Sequence, residues 1–171
     1  MEMLVKNVKS EVFPDKQTKD VYLCPSTTID AMAEQITPTS PNFGLLLAMD
    51  ARSMDSGQIG DLAEKMADKG LAYLCAWGPD CERVHDIFDE IEVQRDLEKE
   101  DDSVIMTTWH SDEPLEECLW FFVNSAFPDL AYEQSCKDWI IAPLGNEEWE
   151  KLIRDAFKVS WADSASKTES K

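Results

Sequence analysis

The sequence predicts one α/β domain in three layers: a four-stranded, mostly parallel sheet with helices on both faces. Three observations predict it. Short, largely apolar runs recur at 44–49 (GLLLAM), 71–77 (LAYLCAW), 103–109 (SVIMTTW) and 138–144 (DWIIAPL), as strands covered on both faces require. After each run, apolar residues recur at helical spacing. Turn and capping residues stand at the handovers, and 171 residues suit one domain with a full core.

Each element follows in order. Residues 1–20 lack periodicity and are expected to form a loose arm. Residues 21–24 (VYLC) read as an extra short N-terminal strand. Thr28 precedes Ile29, Met32, Ala33 and Ile36 at helical spacing, and 37–42 carries two prolines and reads as a loop. After strand 44–49, Ile59, Leu62, Ala63, Met66 and Ala67 make one helical face, which Gly70 ends. After strand 71–77, Gly78-Pro79 opens a helix whose inner face is Val84, Ile87, Phe88 and Ile91, and which dissolves into charge at 99–102. After strand 103–109, Ser111 or Asp112 is expected to cap a helix with the stripe Leu115, Cys118, Leu119, Phe122 and Val123. Trp120 and Phe121 make that helix apolar nearly all round, so it is either sandwiched or exposed as a contact surface. Pro143 falls at the end of strand 138–144. Asn146 caps a last helix with Trp149, Leu152, Ile153, Ala156 and Phe157 inward. The domain is expected to span 21–158, and 159–171 to be a disordered polar tail. Numbering the four main strands in sequence, right-handed crossovers favour a flavodoxin-like (Rossmann-like) order, 2-1-3-4, with a ligand-binding switch point between the first and third.

The formal charge is −19, unevenly spread. Residues 101–150 hold twelve acidic residues and one basic one, −11, whereas the first twenty balance. Such a chain cannot neutralise phosphates, so nucleic acid and anionic membranes are excluded as expected partners. An acidic surface either keeps the protein soluble or docks a basic protein surface. The N-terminus resembles no signal peptide and no apolar run approaches the ~20 residues of a membrane span, so a cytoplasmic location is expected. The five cysteines are odd in number and form no CxxC pair, which argues against a disulfide framework and a zinc knuckle. They are expected to be buried thiols, with no metal and no cofactor.

In a parallel sheet, ligands bind beyond the carboxyl ends of the strands. Asp50, Trp77, Gly78, Thr108 and Trp109 fall there as candidate ligand-binding residues. Both histidines are near this edge. Cys81 and His85 stand at i and i+4, and Cys81 lies in a first helical turn, where a thiolate is favoured; a thiolate–imidazole pair is one reading. Asp80 and Glu82 oppose it, and a buried Cys81 beside a locally hydrogen-bonded His85 is the plainer one. His110, Asp112 and Glu113, with Asp50, could bind a metal or act as acid and base; alternatively Ser111 and Asp112 only cap a helix and Glu113 favours its positive end. No GxGxxG, GxxxxGK[ST] or GxSxG is present, so dinucleotide, P-loop and serine-hydrolase chemistry are unsupported.

The segments AWGPDCERVHDIFDE (76–90), MTTWHSDEPLEECLWFF (106–122) and DWIIAPLGNEEW (138–149) resemble an uncharacterised family of small acidic bacterial α/β proteins. The resemblance covers roughly residues 40–155 and implies a bacterial origin, and no catalytic role carries over from it. Two functions are therefore expected as alternatives. One is a protein-binding module, immunity- or antitoxin-like or an accessory factor, using its acidic face and Trp120/Phe121. The other is a small hydrolase or transferase acting on a nucleotide-like molecule, with Cys81, His85, His110, Asp112 and Glu113 as candidate catalytic residues.

Overall fold

Capping chemistry sets most helix starts. Thr28 accepts a hydrogen bond from the Ala31 amide, Asp55 and Gln58 form a capping box, and Asn146 Oδ1 accepts from the Glu148 and Trp149 amides at 3.0 and 3.1 Å. The structure is a computed structural model and describes residues 1–96 and 103–160, without the side chains of Asp96 and Ser160. In chain order its elements are β1 (Glu2–Val8), β2 (Lys19–Leu23), α1 (Ile29–Gln35), β3 (Asn42–Ala48), α2 (Ser56–Asp68), β4 (Leu71–Trp77), α3 (Cys81–Asp96), β5 (Met106–His110), α4 (Leu115–Asn124), β6 (Cys136–Pro143) and α5 (Glu147–Ser160). No helix among the described residues is long and apolar enough to cross a membrane.

The α/β class holds and the sheet is mostly parallel, but it has six strands in the order β1-β2-β6-β3-β4-β5. The four expected strands run 4-1-2-3, not 2-1-3-4, because β6 inserts between β2 and β3. Side chains on β6 explain that place. Trp139 lies against Gly44 of β3, its register partner, where an added Cβ would meet the indole at 2.5 Å. Only glycine allows this approach. Asp138 accepts from the Thr39 and Ser40 amides at 2.5 and 3.0 Å, tying β6 to the loop that enters β3.

Residues 2–8, expected to be loose, form β1, antiparallel to β2. β1 is an edge strand with most side chains exposed, so it needs no apolar alternation and shows none. The following turn is pinned to α4: Ser10 Oγ donates to the Asn124 carbonyl at 2.6 Å, and Asn124 Oδ1 accepts from the Glu11 amide at 2.9 Å. The early strand at 21–24 is present as β2, two residues earlier. The predicted charged helix end at 99–102 and the tail from 161 lie outside the described residues; 159 and 160 close α5.

Alternation along the strands divides the core. One side packs Leu45, Leu47, Leu74 and Ala76 under α1, α2 and α3; the other packs Leu46, Tyr73, Cys75, Trp139 and Ile141 under α4 and α5. Lys19 is buried on the second side. Its Nζ donates to the Phe122 and Ala126 carbonyls at 2.7 and 2.5 Å and sits 3.8 Å from the centre of the Trp139 ring. A cation is thus held at the C-terminal end of α4, where the helix dipole and unpaired carbonyls favour it. Burial pushes the Lys19 pKa well down.

Candidate functional site

Among the described residues, a dense group of reactive side chains lies between the sheet and α4. Cys75 on β4 is the register partner of Thr108 on β5, and Trp77 of His110. With a two-residue repeat, Cys75, Trp77, Thr108 and His110 all face α4. From α4, Cys118 points back at the sheet, buried like Cys75. The two sulfurs are 3.5 Å apart. His110 Nδ1 is hydrogen-bonded to the Glu113 carboxylate, and Nε2 is 3.3 Å from Thr108 Oγ1. Phe121 covers the imidazole with ring centres 4.6 Å apart. The ligand atoms of Cys75, His110 and Cys118 all lie within 4.8 Å of one another.

These groups shift one another. Burial works against a Cys75 thiolate, but hydrogen bonds from Cys118 and His110 outweigh it and lower the Cys75 pKa. Burial likewise opposes a charged His110, yet contact with Cys75 and Glu113 raises its pKa. Cys118 moves up, because its proton bridges to Cys75 and because it is buried. Cys75, Cys118 and His110 are thus coupled through their shared hydrogen bonds.

Glu113 owes its position to a local surprise. Ser111 and Asp112, expected to cap α4, are exposed in the preceding turn; the helix begins after Pro114 with no side-chain cap. Proline pre-sets the backbone for helix entry. The Trp77 indole donates to the Glu113 carbonyl at 2.9 Å and stacks edge-on with Trp149. The turn is therefore fixed by Trp77, and the Glu113 side chain is left for His110.

The other histidine is on the opposite face. Trp109 alternates with His110 on β5, so it faces α3, where its ring lies 4.5 Å from that of His85. His85 Nδ1 and Nε2 are 3.1 and 3.4 Å from Asp86 and Asp89. Cys81 is fully buried in the α1–α3 core, and burial raises its pKa. Asp50 is bound by Arg52 at 2.9 and 2.5 Å, which lowers its pKa. Gly78 has φ +113 and lies against the Met49 carbonyl. Trp109 and Trp120 are exposed, while Phe121 is half-buried on His110. The structure thus joins the side chains of His110, Glu113 and Thr108 and leaves those of His85, Asp50 and Asp112 apart from them, while the Cys81 thiol, in the other core, meets the His110 backbone. Cys75 and Cys118 belong to the site but are 43 residues apart in sequence, and neither stands in a spacing pattern that marks it.

A second feature lies on the outer side of the same layer. Between α4 and α5 runs a groove of about 890 Å³, floored by Trp120, Leu152, Ala156 and Val159 and rimmed by Glu11, Glu116, Glu148, Lys151 and Asp155. Trp120 is 44% and Val159 80% exposed. A smaller crevice of about 350 Å³ lies at the carboxyl ends of β2 and β6, lined by Ser26, Gln35, Asn146 and Glu150 among others.

The sequence model of a family described as Domain of unknown function (DUF7684) matches residues 21–160. No curated protein matches the chain.

Proposed function

The chain belongs to this family of unknown function, and we propose from its surface that it is a protein-binding module whose groove between α4 and α5 takes a basic amphipathic helix of a partner protein. The observation that carries the proposal is the groove itself: an apolar floor of Trp120, Leu152, Ala156 and Val159 inside a rim of four carboxylates and one lysine. Large exposed apolar groups in a continuous groove mark contact surfaces, and an amphipathic helix fits such a groove by its i, i+3, i+4 and i+7 side chains. The rim charge selects a cationic helix and speeds its approach. An accessory or inhibitory role toward a basic protein is consistent with this chemistry.

The alternative, a hydrolase or transferase for a nucleotide-like molecule, has less support. The crevice at the β2 and β6 ends is lined by none of Cys81, His85, His110, Asp112 and Glu113, and Cys81 packs in the opposite core from Cys75 and Cys118, against the His110 backbone.

The test uses the full chain and two labelled helical peptides with one apolar stripe, one lysine-rich and one glutamate-rich. The lysine-rich peptide is expected to bind, with NMR shifts centred on the Trp120 indole. Binding should weaken as salt rises, and Trp120→Ala or Glu148→Lys with Asp155→Lys should lower affinity at least about tenfold. Equal binding of both peptides, shifts elsewhere on the surface, or occupation of the groove by a second copy of the chain or by its own residues 161–171 would overturn the proposal.

A further inference from the structure

We propose that Cys75, Cys118 and His110 form a zinc site that fastens α4 to the sheet. The three residues come from three rigid elements: β4, α4 and the end of β5. Their ligand atoms already lie within 4.8 Å of one another. Two thiolates at about 2.3 Å from a tetrahedral zinc stand roughly 3.8 Å apart, and here the sulfurs are separated by 3.5 Å. A small outward shift of either side chain completes the arrangement.

The histidine is prepared for the same task. Its Nδ1 is committed to the Glu113 carboxylate, which leaves Nε2, on the Thr108 side, to supply the lone pair. A carboxylate behind a metal-bound imidazole fixes the tautomer and makes the ring more basic. Glu113 is a positioning residue in this sense, and the Trp77 hydrogen bond to its backbone holds it in place. Charge also balances. Two thiolates and a neutral imidazole cancel the two positive charges of zinc, so the loaded site suits a buried place where an unpaired charge would be costly. The donor set of two sulfurs and one ring nitrogen favours zinc over magnesium or calcium, which take oxygen. Water or the Thr108 hydroxyl is left for the fourth position. Phe121 covers the imidazole, so the arrangement favours a fastening role over an open reactive metal. Of the remaining cysteines, Cys24 and Cys81 lie in the other core, Cys81 against the His110 backbone, and Cys136 lies beside Lys19.

The inference does not depend on the groove reading and is tested without it. The reduced full chain, stripped with a chelator, is titrated with Co²⁺ as a spectroscopic stand-in for zinc. One ion per chain is expected, with a thiolate-to-cobalt charge-transfer band, intense tetrahedral visible bands and their loss on adding Zn²⁺. Cys118→Ser and His110→Ala should each weaken binding at least about 100-fold, and Glu113→Gln by about 10- to 100-fold with the stoichiometry unchanged. Cys24→Ser and Cys136→Ser should leave the band as it is. Because the variants could misfold, the wild-type chain gives a second reading: chelation should lower its melting temperature and zinc restore it. A wild-type chain that shows no charge-transfer band, a band that survives His110→Ala, or a melting temperature indifferent to zinc would each overturn the proposal.

Discussion

The side chains of His85 and His110 are almost equally covered, 11% and 12% exposed, yet their surroundings are opposites. His85 leans on Trp109, itself 45% exposed, and on two carboxylates that are 69% and 47% exposed. Water screens those pairs. His110 meets two sulfurs without solvent access and a carboxylate whose backbone is pinned by Trp77. Trp109 and His110 are neighbours in sequence, so one step along β5 separates a wet environment from a dry one. Burial of a residue says little about its chemistry; what the helix overhead contributes decides it. Beside His85 and Trp109, α3 offers aspartates, whereas beside His110 α4 offers the Cys118 thiol.

The sharpest way to break this contrast is to unseat α4. Lys19→Ala removes the cation that pairs with the Phe122 and Ala126 carbonyls and empties space beneath Trp139. A loss of about 3 kcal/mol is expected in urea unfolding, and a loss below about 1 kcal/mol would show that α4 is seated by packing alone. A smaller effect should come from the histidines themselves. In metal-free protein, His110→Ala should cost about 2 kcal/mol through the Glu113 hydrogen bond and the Phe121 contact. His85→Ala should cost less than about 1 kcal/mol. Equal losses would erase the distinction between the two faces.

A further effect of that order concerns pH. Cys136 lies on the α4 side, and burial pushes its thiol up from 9.0 to about 12. The raised folded value means that the unfolded chain gives up this proton first. The thiol's contribution is therefore intact below pH 9 and is lost as pH rises toward 12. Relative to Cys136→Ala, wild-type stability should fall by about 1 kcal/mol between about pH 8 and pH 10. A difference that stays constant would mean that Cys136 titrates as if exposed.

Part of this was legible in the sequence. β4 and, after Asn42, β3 are apolar throughout because helices cover both their faces, and α2 and α5 announce themselves by spacing and caps. β1 was hidden because an edge strand facing water carries Lys6 and Asn7 as readily as valine. The place of β6 was hidden because apolar content marks a strand as buried without saying between which neighbours. Gly44 and Asp138, which decide it, look like ordinary residues until their partners are seen. At the site, His110 and Glu113 were found because they are three residues apart. Cys75 and Cys118 were not, since the fold alone brings them together. The expected cap at Ser111 or Asp112 failed because the helix begins only at Leu115, with Pro114 in the cap position and the two polar residues in the turn before it.

The insertion of β6 also has a consequence in time. A ribosome makes the β1–β2 hairpin first and the β3-β4-β5 sheet next, and nothing pairs the two. Both expose an open inner edge until residues 136–143 emerge, and that last strand closes both edges at once. Chains halted before residue 136 should therefore be aggregation-prone halves rather than a smaller stable domain. β6, the last strand among the described residues, is the keystone of the sheet.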